Sequence, residues 1–205
     1  MTTTQTARRS RENTRARLLD AAADVFAEKA LRRVTVDDLV GAAGFTRGAF
    51  YSNFASIEEL FFEVYAVQAD LMLAAVRAVI DQIPAGEFSL ESLRPVLGAL
   101  RPFGRRWYLI QNEFALLAVR DDAARERFLA HGDRLQREIV DLVRRTLALL
   151  DREPVISVEH LTDVLLALYL HSLGNEQLGT GNLDPDQLVE DVLPQVLLGL
   201  SRTSG

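Results

Sequence analysis

The chain has no cysteine, one tryptophan, two methionines and a single lysine, Lys29, in 205 residues. Without cysteine there is neither a disulfide staple nor a thiolate-held metal. Prolines number only six, which leaves long stretches where nothing interrupts a helix. No run of eighteen or more apolar residues occurs, so no segment reads as a membrane-spanning helix. The opening stretch, MTTTQTARRSRENTR, is polar and basic with no apolar run behind it, unlike a secretory signal. A cytoplasmic protein with no membrane partner is expected. Zinc-protease, nucleophile-elbow and Gly-rich phosphate motifs are also missing. His160 and His171 share one helix but lie about 16 Å apart along it at 1.5 Å per residue. His160 and Asp163 could reach one ion, but a solvated first turn is the commoner fate of such a pair. No catalytic set, metal or cofactor is expected.

Charge is unevenly spread. Residues 1–55 hold nine basic and six acidic side chains, +3, which leaves −9 for the rest of a chain of net −6. Taken whole, the acidity argues against nucleic acid. A basic head on an acidic body is what a phosphate-binding module joined to a domain with another task requires. At 48% hydrophobic, the chain can bury a core in both parts.

The informative stretch is Thr35 to Phe54, TVDDLVGAAGFTRGAFYSNF. Thr35 is placed to cap a helix, with Asp38 completing a shortened capping box. Leu39, Ala42 and Ala43 give that helix a small apolar face. Gly44 accepts the left-handed conformation that ends a helix, and Phe45 fills the turn. Thr46 is placed to cap a second helix through Arg47, Gly48, Ala49, Phe50, Tyr51 and Phe54. Two short helices joined by a tight Gly-containing turn form a helix-turn-helix, whose second helix reads a DNA groove. Arg47 sits at the N-terminal end of that helix, where side chains meet base edges, and can pair with guanine through two donors. Thr46 and Ser52 are short donors, Gly48 and Ala49 permit close approach, and Asn53 is a further polar candidate. Thr35 offers a hydroxyl and backbone amides to a phosphate.

This stretch resembles the DNA-binding signature of the TetR family of transcriptional repressors. The shared pattern is carried by Thr35, Leu39, Ala43-Gly44, Thr46, Gly48 and Tyr51-x-x-Phe54. The resemblance implies a phosphate contact for Tyr51, for which core packing is the other use. It also implies a homodimer on a palindromic operator and a small-molecule inducer held between body helices. One position departs: the family has a Lys shortly after Tyr-x-x-Phe, and this chain has Ile57.

Patterning predicts a mobile arm at residues 1–10, a helix at 11–29, and a head core of Leu19, Phe26, Leu39, Phe50 and Phe54. A capping box at Ser56–Glu59 opens a long helix over 57–82, the natural lever between head and body. Further helices are expected near 89–100, 105–119, 123–150, 157–178 and 184–200, with no convincing strand. The expectation is an all-α chain, with a three-helix DNA-binding head (1–55) and a six-helix ligand-binding and dimerisation body (56–205).

Ligand candidates in the body are Phe103, Trp107, Gln111, Phe114, Tyr169, His171 and Asn175, which combine aromatic surface with a few polar groups. Core packing for Trp107 and Phe114 is the equal alternative. Dimer candidates are Leu161, Leu165 and Leu168 on one helix and Leu188, Val192 and Val196 on the last. Burial of those faces within one chain is the alternative. Two other functions stay open: a small-molecule-binding protein with a vestigial head, suggested by Ile57, and a helical enzyme using Glu113 with His171.

Overall fold

A computed structural model describes residues 2–84, 86–180, 187 and 191–204, with side-chain detail from Glu12 onward. The described chain is helical almost throughout. In order come α1 (Thr2–Glu28), a 3-10 turn (Leu31–Arg33), α2 (Val36–Ala43), α3 (Arg47–Tyr51) and α4 (Ile57–Gln82). A short helix α5 (Leu93–Gly98) lies between two 3-10 turns, followed by α6 (Gly104–Arg120), α7 (Asp122–Leu149), α8 (Val158–Leu178) and α9 (Leu193–Gly199).

The chain forms two compact units, Met1–Ala69 with Leu109–Phe128, and Asp70–Tyr108 with Leu129–Gly205. The first unit holds the head. Leu18, Ala22, Val25 and Phe26 of α1 are buried at helical spacing, together with Leu39, Phe50 and Phe54. Phe26 meets Phe61 of α4 edge-on at 5.0 Å. Phe114 of α6 then packs against Phe61, Phe62, Tyr65 and Phe128. Aromatic edges and faces in such a cluster add to the area they bury.

In the second unit, Ile80, Phe88, Leu93, Val96, Leu147, Leu161 and Leu197 form one core. Tyr169, Leu173 and Leu193 form another. Ion pairs Asp70–Arg134, Arg77–Glu138 and Asp81–Arg145 climb α4 and α7 in the same direction, so those helices run parallel. Two glycines set how closely α6 and α8 approach. A β-carbon on Gly104 would lie 2.9 Å from Leu173, and one on Gly174 would lie 2.9 Å from the Tyr108 hydroxyl.

Several expectations need correction. The arm expected to be mobile is helical from Thr2, since no Gly or Pro interrupts residues 2–28. Leu18 rather than Leu19 points into the core; Leu19 is half-buried. The boundary at 55/56 marks the end of the helix-turn-helix but not of its compact unit, because Phe61 and Phe62 belong to the same aromatic cluster as Phe26. Strand is present: Arg152–Pro154 pairs antiparallel with Ser201–Thr203. Arg152 fixes this pair by donating to the Ser201 hydroxyl and carbonyl, each at 2.7 Å. The expected helix start at Asp184-Pro185 lies outside the described residues.

Candidate nucleic-acid interface

The helix-turn-helix forms by the caps its sequence provides. Thr35 accepts from the Asp38 amide at 3.2 Å and donates its own amide back to the Asp38 carboxylate at 2.9 Å. Gly44 ends α2 at φ 72°, a conformation that favours glycine. Arg17 braces the turn from α1: it donates to the Ala43 carbonyl at 3.3 Å and lies 4.8 Å over the Phe45 ring. Thr46 then caps α3 by accepting from the Ala49 amide at 3.3 Å. Helix α3 ends at Tyr51, earlier than the expected Phe54, although the Phe54 amide still reaches the Phe50 carbonyl at 2.9 Å.

Thr46, Arg47, Gly48, Tyr51 and Ser52 are exposed on α3, with Ala49 half-buried beside them. Phe50 and Phe54 turn into the core. Tyr51 lies edge-on to the Phe50 ring at 5.3 Å but is 58% exposed, so it covers the core from outside and is accessible to a phosphate. The Arg47 side chain is also exposed, and its Nε lies 3.4 Å from the Asp37 carboxylate.

Three expected contacts are corrected. The Ser52 hydroxyl donates to the Ala49 carbonyl at 2.9 Å, so its proton is not free for DNA. Asn53 is buried, and its amide nitrogen donates to the Ala49 carbonyl at 2.8 Å and the Ser52 hydroxyl at 3.2 Å. It therefore closes the end of α3 instead of facing DNA. Thr35 does not offer a free amide or a free hydroxyl proton to a phosphate, because both donate to Asp38. Lys29 pairs with the same carboxylate at 2.7 Å. The Lys29 contact first, then the two Thr35 donors, hold the Asp38 pKa down at about 2. A carboxylate likewise serves the start of α4, where Glu59 accepts from the Ala55 amide at 2.6 Å and Ser56 accepts from the Glu59 amide at 3.1 Å. Ile57, at the departure from the family pattern, is half-buried.

Three residues absent from the list of DNA-binding candidates support the site. Arg15 of α1 donates to the Asn53 carbonyl at 2.6 Å, pairs with Glu63 of α4, and lies 4.4 Å over the Phe54 ring. It thus ties the end of α3 to two other helices. A signal existed in the sequence: Arg15 stands on the same helical stripe as Leu18, Ala22 and Phe26, an arginine in line with core positions. Asp37 faces Arg47. Glu113 of α6 accepts from the Leu31 amide at 3.2 Å, a contact across 82 residues that no local pattern announces.

The ligand candidates divide between the two units. Gln111 and Phe114 belong to the first, and Phe103, Trp107, Tyr169, His171 and Asn175 to the second. Phe114 is fully buried among aromatic rings, and Trp107 is buried as well. His171 is exposed and pairs with Asn175 at 3.1 Å on the surface of α8. Two groups retain a polar atom suited to a ligand. The buried Gln111 Oε1 and Tyr169 hydroxyl have no hydrogen-bond partner among the described residues. Burial, and secondarily the charge of Glu176, push the Tyr169 pKa up to about 12. Among dimer candidates, Leu161 is fully buried in its own chain's core, a correction. Leu165, Leu168, Val192 and Val196 are half-buried, and Leu188 lies outside the described residues.

A short capped reading helix on a helical frame defines the class: a helix-turn-helix protein with an all-α body. Residues 18–64, the helix-turn-helix with its flanking helices, match the family described as bacterial regulatory proteins, tetR family. It is 40% identical over 67 residues to the HTH-type transcriptional repressor KstR2 of Mycobacterium tuberculosis, a match covering 33% of this chain and 34% of that relative. The match therefore spans about a third of the relative's length. The solved structure of the ketosteroid transcriptional regulator KstR2 of Mycobacterium tuberculosis superposes over 92% of this chain and 95% of that one, with TM-score 0.59 and 26% identity. A transcriptional regulator from Rhodococcus sp. Rha1 shares the fold, with TM-score 0.68 over 91% of this chain and 95% of that one at 20% identity. Among the described residues no helix is long and apolar enough to cross a membrane.

Proposed function

We propose that this chain is a ligand-responsive transcriptional regulator that binds a palindromic operator as a homodimer and represses until a small-molecule inducer releases it. The exposed face of α3, with Arg47 and Tyr51 and no large apolar side chain between them, is the observation that carries the DNA-binding part. Arg47 reads a base edge, and Tyr51 meets a phosphate. A homodimer is needed because two such faces must enter successive major grooves about 34–36 Å apart. The buried, unpartnered Tyr169 hydroxyl supports a ligand in the body. The ligand acts by favouring one of two body shapes and thereby changing the spacing of the heads through α4. A ligand binding both shapes equally would do nothing.

Duplex affinity measured from about 50 to about 200 mM salt tests this. Affinity is expected to fall steeply as phosphate contacts release counterions. Absent or salt-indifferent binding sinks the proposal. Solution scattering with and without inducer tests the lever, which fails if the head spacing is unchanged. A second reading, a small-molecule binder with a vestigial head, has one observation in its favour. Carboxylates occupy the starts of both α2 and α4, places where a phosphate would otherwise be received.

A further inference from the structure

We propose that Asp37 is a positioning and specificity residue, which aims Arg47 at guanine by occupying the Nε side of its guanidinium. The inference rests on the DNA-binding function proposed for α3.

Asp37 and Asp38 are neighbours on α2 with separate tasks. Asp38 is turned to the helix start, where it serves Thr35 and Lys29. Asp37 plays no part in that cap. Its carboxylate lies 3.4 Å from Arg47 Nε, and its side chain is 69% exposed. An exposed acid on the face that meets a polyanion opposes binding to any sequence. A surface ion pair of this kind also adds little to folding. Its physical consequence lies in direction. Guanidinium is planar and presents its donors as a rigid fork. A carboxylate engaged at Nε leaves the two terminal nitrogens as the donors available to a base. That pair matches the O6 and N7 acceptors that guanine presents in the major groove. The acid therefore lowers affinity for all DNA while narrowing the orientations from which Arg47 can pair. An unheld Arg47, on a long flexible stem, would reach phosphates and other base edges as well.

The test is selection of bound duplexes from a random pool with wild type, Arg47→Ala, Asp37→Ala and Asp37→Glu. Non-specific affinity is measured beside it on a duplex lacking the motif. Arg47→Ala should flatten one base position in each half-site, by on the order of ten-fold in preference for a bidentate pair. Asp37→Ala should flatten that same position roughly three-fold or more and raise affinity for the unselected duplex. Asp37→Glu, which keeps the carboxylate, should restore the preference. An unchanged profile with uniformly tighter binding in Asp37→Ala overturns the inference and makes Asp37 a simple repulsive charge. Equal flattening by Ala and Glu overturns it too, since the charge would then not suffice. If the wild type enriches no motif, the DNA-binding proposal fails and takes this inference with it. Both positions are exposed, and equal thermal midpoints identify variants that fold normally.

Discussion

Glu113 on α6 accepts a hydrogen bond at 3.2 Å from the backbone amide of Leu31, in the 3-10 turn that leads into the helix-turn-helix. Leu31 is itself buried, so its amide has little access to water. Glu113→Ala leaves that donor without its partner and should cost about 1–2 kcal/mol. Glu113→Gln keeps an acceptor oxygen and should cost less. Urea unfolding of the three proteins checks the order. The same bond argues against the enzyme alternative, since Glu113 is engaged in structure and His171 is paired with Asn175.

Arg15 should be intolerant of lysine. Its fork reaches the Asn53 carbonyl and Glu63 at once while its plane covers Phe54, and an ammonium cannot reproduce that geometry. Arg15→Ala is expected to destabilise by about 1–2 kcal/mol, discounted because both charged side chains remain about one-third exposed. Arg15→Lys should recover less than half of the loss in the same urea measurement. Full recovery would show that charge alone suffices.

Gly174 leaves room for the Tyr108 ring. An added β-carbon would meet the hydroxyl at 2.9 Å and the ring carbon bearing it at 3.3 Å. Gly174→Ala should therefore cost about 1–3 kcal/mol through overpacking. Tyr108→Phe in the same chain removes the nearest atom and should relieve part of that cost. Additive single effects in a double-mutant cycle would contradict the close approach.

Acid should loosen the start of α2. The Asp38 pKa is lowered from 3.8 to about 2 in the folded chain. A depressed carboxylate pKa contributes stability that is fully present above the unfolded value and is lost as pH falls through the folded one. The window thus runs from about pH 4 down to about pH 2. Asp38→Asn should flatten the acid limb of the stability profile across that window and leave its shape above it unchanged. Thermal melts at half-unit pH intervals give the comparison.

The helix-turn-helix was legible because its signals are local. Thr35, Gly44 and Thr46 act on amides or dihedrals within a few residues, and each takes its expected part in a cap or turn. The long helix at Ile57–Gln82 likewise followed from Ser56, Glu59 and a stretch free of Gly and Pro. What stayed hidden depends on tertiary partners. Asn53 is polar in sequence but turns inward because the Ala49 carbonyl is there to receive it. Leu161 looked like interface because periodicity shows that a face is apolar, not what covers it; its own chain does. The strand pair at Arg152 and Ser201 joins segments about fifty residues apart and only three residues long each, below what alternation can announce.

The most direct measurement is selection of bound duplexes from a random DNA pool by the wild-type chain and by Arg47→Ala. The expected result is an inverted repeat whose half-sites are centred about one helical turn, or a multiple of it, apart, with one base position in each half blurred in the variant. A wild-type pool that enriches no sequence, or an enriched motif indifferent to Arg47, would contradict the assignment of α3 as the reader.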